Sequence, residues 1–223
     1  DYFPPAEDHA ILRQIYQGIP PIVGFAERPD YLPYPHVYVD NLSAARTITQ
    51  YMIDRGHTHI GHLPGPGDKA ASAERRAGFL KAMSDANLPV DPEDIYEGGF
   101  HRDVGRRVAR RLARRQSMPT AVFCANDETA MGFISELSTL GIKVPDDISV
   151  CGFDNNAFAD VYVPPLTTIA QPRGEIGVSA MELLLGVMNN PKANRNKVVE
   201  LKFRLASRLS VARLPPGVGK PSR

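Results

Sequence analysis

The sequence predicts an α/β fold built on doubly wound parallel sheets, and three observations predict it. Short β-branched or aromatic runs alternate with amphipathic stretches along most of the 223 residues. Strands separated by helices at this spacing are joined by crossover units, which place helices over both faces of a parallel sheet. Polar side chains stand directly after the apolar runs, where such sheets bind ligands. Finally, 43% hydrophobic and 23% charged residues give the composition of a soluble globular protein, with length for one large domain or two smaller lobes.

Each element follows in order. A helix over 6–17 comes first without a preceding strand, so the chain is expected to enter inside a crossover unit, with further sequence upstream. PPIVGF and HVYVD read as strands, and 42–56 as a helix with Ser43 near its start and Gly56 as its stop. Then come THIGHLPG and a helix over 73–86, DIYEGGF and a helix over 102–115, TAVFCAND and a helix to 140, and ISVCGFD with a loop. LTTIAQP with a helix over 173–188, and VVELKFRL, complete the set. Eight strand candidates are many for one open sheet without a dinucleotide fingerprint. The tail over 214–223, LPPGVGKPSR, is rich in Pro and Gly, lacks apolar periodicity and is expected to be disordered.

Composition excludes several function classes. Lys and Arg number 26 against 25 Asp and Glu, a formal charge of +1, which argues against a sequence-independent grip on nucleic acid, since that needs uncompensated cations on phosphates. No stretch has the apolar length of a membrane span, and the opening DYFPPAEDHA has neither the basic end nor the apolar core of a signal peptide. Cys124 and Cys151 each end an apolar run and read as inert core thiols, which fits a reducing cytoplasm.

The polar residues after the strands form the candidate site. Asp40 and Asn41 follow HVYV; Lys69 and Arg75 lie in GPGDKAASAER; Phe100 follows IYEGG. Asn126 and Asp127 follow AVFCA; Asp154, Asn155 and Asn156 follow SVCGF; Gln171 follows TTIA. Any one Asn or Asp here is explained by helix capping. Together, however, carboxylates, amides and a guanidinium around one aromatic ring suit a polyhydroxylated ligand such as a sugar. No metal or cofactor is expected: His57, His59 and His62 straddle a helix end and a strand without Cys or a carboxylate cluster. The arginines of RDVGRRVARRLARR are read as a solvated face, because Val104, Val108 and Leu112 mark the buried one. G-x-S-x-G, Walker and G-x-G-x-x-G signatures are missing, so no enzymatic activity is expected.

YVDN, RGHTHIGHLPGP, AERRAGFLKAM, AVFCANDETAMG, GIKVPDDISVCGFDN and VPPLTTIAQP, in this order and spacing, resemble the effector-binding domain of the LacI/GalR family of bacterial transcription regulators over about residues 20–213. The resemblance implies a periplasmic-binding-protein-like fold of two lobes joined by three crossovers. It gives residues 1–57 plus 170–190 to an incomplete N-terminal lobe and 58–169 plus 191–213 to a C-terminal lobe. It further implies that Asp40, Lys69, Arg75, Phe100, Asn126, Asp154 and Gln171 contact a sugar-like effector between the lobes. A cytoplasmic homodimeric repressor is implied, touching operator DNA through an N-terminal helix-turn-helix that this sequence does not contain. The alternatives are a periplasmic sugar receptor of a transport system and, third, an α/β enzyme.

Overall fold

The structure, a computed structural model, describes residues 23–25, 34–190, 194 and 197–215. The expected helix over 6–17, the first half of the first strand run and most of the tail lie outside the described residues. The chain divides into two compact units, Asp1–Asp40 with Pro172–Phe203, and Asn41–Gln171 with Arg204–Arg223.

In the first unit, strands β1 (Gly24–Phe25), β2 (His36–Val39) and β7 (Val198–Leu201) form a parallel sheet in the order β1-β2-β7. Helix α5 (Arg173–Asn189) packs on it. Across the β2–β7 pair, Tyr38 stands opposite Glu200 and its hydroxyl donates to Glu200 Oε2 at 3.1 Å. Among the described residues, Val178, Met181, Leu185 and Met188 of α5 keep half or more of their surface exposed.

The second unit carries a five-stranded sheet in the order β3-β4-β5-β6-β8: Ile60–Leu63, Ala121–Cys124, Ser149–Asp154, Thr167–Ala170 and Arg204–Ala206. The first four strands are parallel and β8 runs antiparallel to β6. Side chains alternate between its faces, as the two-residue period of a strand requires. Leu63, Val122, Cys124 and Val150 pack with Val108, Leu112, Phe133 and Leu137 from α3 (Arg102–Leu112) and α4 (Asp127–Thr139). His62 stacks at 4.9 Å on Phe79 of α2 (Ala70–Asp85), and the Cys151 thiol meets Met52 of α1 (Asn41–Ile53) at 3.5 Å. A strand buried on both faces reads as a continuous apolar run, which is why AVFC and SVCGF look as they do.

Three expectations need correction. DIYEGGF forms no strand beyond one bridge, His62 to Ile95. The reason is close backbone approach: a β-carbon at Gly98 would lie 2.2 Å from the Gly65 carbonyl oxygen, so the segment runs against the 64–65 turn with Gly99 N–H on Pro64 O at 2.9 Å. VVELKFRL splits after Leu201 into β7 and β8, which belong to different sheets. Arg115 does not join the solvated arginine face, because its guanidinium reaches the buried Asp94 at 2.5 Å. On that face Arg102 pairs with the half-exposed Glu128 and Arg107 with the half-exposed Glu97. The packing of the chain turns from the first unit to the second at Asp40. Helix α1 lies with the second unit because it packs on α2 and β6.

Candidate functional site

The carboxyl edge of the second unit's sheet gathers the candidate site. Strand β5 ends at Asp154, β6 is followed by Gln171, β4 leads through Ala125 into the α4 cap, and the turn after β3 leads into α2 and Arg75. Parallel strands direct their carboxyl ends, and the loops after them, to one edge.

Arg75 is the centre of this arrangement. Only 6% exposed, it donates from Nε to Asn41 Oδ1 at 2.9 Å and from Nη1 to the Ala125 carbonyl at 2.6 Å. Its guanidinium carbon lies 3.7 Å from the centroid of the Phe153 ring and 5.9 Å from that of Phe100. Stacking on an aromatic face holds a desolvated cation in place. Asn41 is fixed in turn by Glu74, whose Oε2 accepts from Asn41 Nδ2 at 3.0 Å.

Asp154 faces this cation. Its Oδ1 lies 3.8 Å from Arg75 Nη2, an ion-pair distance beyond hydrogen-bond range, and accepts from Gln171 Nε2 at 2.6 Å. A guanidinium donor and a carboxylate acceptor side by side match the paired donors and acceptors of vicinal hydroxyls. The arrangement therefore suits gripping a polar ligand.

The structure brings together Arg75, Phe100, Asp154 and Gln171 from the predicted set. Asn126 sits beside them, but its amide has structural partners: Oδ1 caps α4 by accepting from Thr129 N–H at 2.9 Å, and Nδ2 donates to the Phe100 carbonyl at 3.0 Å. Asn126 thus positions Phe100. Lys69 occupies the N-cap position of α2, six residues ahead of Arg75, without a side-chain capping bond. Asp40 follows β2 in the first unit, half-buried. Sequence reasoning missed Phe153 and Glu74: Phe153 reads as strand core, and Glu74 as an ordinary helical acid.

His57, His59 and His62 serve the fold. His57 Nδ1 bonds Thr120 Oγ1 at 3.0 Å and His59 Nε2 bonds Asp94 at 2.6 Å. Burial pushes His62 down to about 4, so its imidazole is neutral at physiological pH. Burial likewise pushes the Cys124 and Cys151 thiols up, away from reactivity. Among the described residues there is no group of three His, Cys, Asp or Glu able to hold a metal ion.

A family model described as a periplasmic binding protein-like domain matches residues 49–211. The HTH-type transcriptional repressor PurR of Vibrio parahaemolyticus is 44% identical over 166 residues, 74% of this chain and 49% of the relative. The chain thus spans about half the length of the curated relatives it matches. A LacI transcriptional regulator from Bacillus cereus subsp. cytotoxis superposes with a TM-score of 0.85 at 27% identity, over 93% of this chain and 73% of that one. A LacI family regulator from Enterococcus faecium with bound ribose gives 0.79 at 26% identity, over 90% and 74%. The chain belongs to the periplasmic-binding-protein-like family, in the form found in LacI-family transcriptional regulators.

Proposed function

We propose that this chain is the effector-sensing domain of a LacI-type bacterial transcriptional repressor, and that it holds a small polyhydroxylated molecule at the carboxyl edge of the second unit's sheet. One observation carries the reading: the buried Arg75, held on the ring of Phe153, sets a fixed cation 3.8 Å from the Asp154 acceptor, with the Phe100 ring 5.9 Å away. These groups bind rather than transform. The solved relative with bound ribose supports a sugar or sugar derivative as the effector class.

Effector binding favours one state of the protein and so alters its affinity for operator DNA, by typically about 1–3 kcal/mol for such couplings. The DNA contacts belong to a helix-turn-helix segment such as the relatives' names imply, and the protein works in the cytoplasm. No helix among the described residues is long and apolar enough to cross a membrane.

The repressor acts as a homodimer through the face formed by α3, α4 and the loop after β5. Phe158, Val161 and Val163 stand 58%, 70% and 85% exposed there. Beside them is a cavity of about 400 Å³ lined by Arg102, Arg106, Met131 and Tyr162, together with Phe158 and Val161 themselves. Projections and a hollow on one face are what a two-fold interface needs, because each copy then fills the other's hollow.

The test is a thermal-shift screen of the intact protein against ribose, cellobiose, other pentoses and hexoses, sugar phosphates, sugar acids and nucleobases. A compound at 100 times its Kd stabilises by about 2.7 kcal/mol, enough for a visible rise in Tm. Arg75→Ala and Asp154→Ala are expected to lose that response. A compound that shifts both variants as it shifts the wild type would overturn the site.

A further inference from the structure

Where β5 ends, two consecutive non-glycine residues hold left-handed backbone: Asp154, its last residue, at φ 113° and Asn155 at φ 53°. Asn tolerates such a conformation, and Asp does so less readily at that φ, so the surrounding structure must fix it. Three residues outside the Arg75 cluster do this. Asp127, 1% exposed at the start of α4, accepts from the Asn156 backbone N–H at 2.7 Å and from the Thr168 hydroxyl at 2.6 Å. Thr168 Oγ1 in turn lies 3.4 Å from the Asn155 N–H. From the other side, Arg208 Nη2 donates to Asn155 Oδ1 at 2.6 Å while its Nη1 donates to the Leu166 carbonyl at 2.6 Å.

The chain is shaped to admit this clamp. A β-carbon at residue 152 would lie 2.3 Å from Asp127 Oδ1, so the carboxylate rests against the backbone of β5 only because Gly152 has no side chain. Asp127 is also buried with both oxygens engaged, and truncating it leaves a backbone N–H and a hydroxyl without an acceptor. The hydrogen bonds of the clamp converge on the two residues that follow Asp154, whose own carboxylate accepts from Gln171 beside Arg75.

We propose that Asp127, Thr168 and Arg208 are positioning residues of the effector site, holding the left-handed Asp154–Asn155 turn so that the Asp154 carboxylate meets Arg75 and Gln171. This rests on the reading of Asp154 as an effector contact. The clamp acts through Asp154 alone, and its loss moves the carboxylate without unfolding the sheet.

The test needs no effector. In NMR spectra of the full chain, the Gln171 side-chain amide reports the place of the Asp154 carboxylate, and the Asn155 and Asn156 backbone amides report the turn. Thr168→Val and Arg208→Met are expected to speed exchange of those two backbone amides by about tenfold or more, and to move the Gln171 signal toward its position in Asp154→Ala. Leu137→Ala, which lowers stability from the buried far end of α4, is the control and should leave Gln171 in place. If Thr168→Val and Arg208→Met lower Tm while the Gln171 signal stays at its wild-type position, the clamp serves stability only and the proposal fails. Asp127→Asn, which keeps an acceptor oxygen, is expected to fall between wild type and Thr168→Val; a wild-type Gln171 signal in all three variants overturns the proposal. The effector reading fails separately, if Asp154→Ala keeps a wild-type thermal response in the screen.

Discussion

The Arg75 guanidinium lies 3.7 Å over the ring of Phe153, the residue that immediately precedes Asp154 on β5. One strand end thus supplies both the surface on which the cation rests and the carboxylate it faces. Any change that tilts β5 moves the two together.

Arg75→Lys tests this geometry. Lysine keeps the charge but loses the planar fork, and with it the stack on Phe153 and the bond from Nε to Asn41. Because Asn41 Oδ1 and the Ala125 carbonyl are left short of a donor, the expected cost is about 1–3 kcal/mol in urea unfolding. The effector response should vanish, as is expected of Arg75→Ala. A Lys variant that responds like wild type would show that charge alone suffices.

Asn126 behaves differently in this account. Its side chain caps α4 and holds the Phe100 carbonyl, so Asn126→Ala should cost about 0.5–2 kcal/mol of stability. Asn126→Asp, which keeps the capping oxygen, should recover part of that loss. Effector affinity, measured by calorimetry once a ligand is in hand, is expected to weaken far less than in Asp154→Ala. An equal loss in both variants would make Asn126 a direct contact.

The contrast between these residues explains what the sequence could reveal. AVFCAND and SVCGFDN announce buried parallel strands and the polar residues that follow them, because a strand covered on both faces has to be apolar and its end has to turn. Asp154 and Gln171 are legible for that reason. Phe153 is not, since a ring that supports a guanidinium and a ring that fills a core look alike in a strand. DIYEGGF fails for a different cause: its apolar start suggests a strand, but Gly98 meets Gly65 through the backbone, a contact between distant segments that no local period encodes. VVELKFRL hides a change of sheet in the same way.

His62 gives the protein a pH dependence whose sign follows from its burial. Its folded value of about 4 lies below the ordinary 6.5. Above pH 6.5 the imidazole is neutral in both folded and unfolded chains, and the fold has its full stability. Between 6.5 and about 4 only the unfolded chain takes up the proton, so stability falls, by an amount on the order of 3 kcal/mol. Below about 4 this group causes no further loss. Burial lowers His57 too, which adds a loss of the same sign. Asp94 acts in a lower window: burial alone would raise it, but hydrogen bonds from His59 and Arg115 outweigh that and hold it below the usual carboxylate value. Urea midpoints measured from pH 7.5 to 4 should therefore decline in wild type and decline less steeply in His62→Phe. An unchanged slope would place the titration elsewhere.

The face proposed to meet a second copy yields the last prediction. Val163 is 85% exposed and Phe158 58% exposed, so neither anchors the core of its own unit, whereas Ala159 and Leu166 in the same loop are fully buried. Charges at the two exposed positions should then leave the monomer's fold intact and oppose burial against a second copy, because an unpaired carboxylate in an apolar interface is costly. Val163→Asp and Phe158→Asp are expected to shift the protein from dimer to monomer in sedimentation-equilibrium runs, with far-UV circular dichroism unchanged and Tm no longer dependent on protein concentration. Ala159→Asp, at a buried position, should instead unfold the loop and lower Tm at every concentration. If both exposed-site variants sediment as the wild type does, the copies meet through another surface. If the wild type itself sediments as a monomer at every concentration tested, this face has no second copy to take.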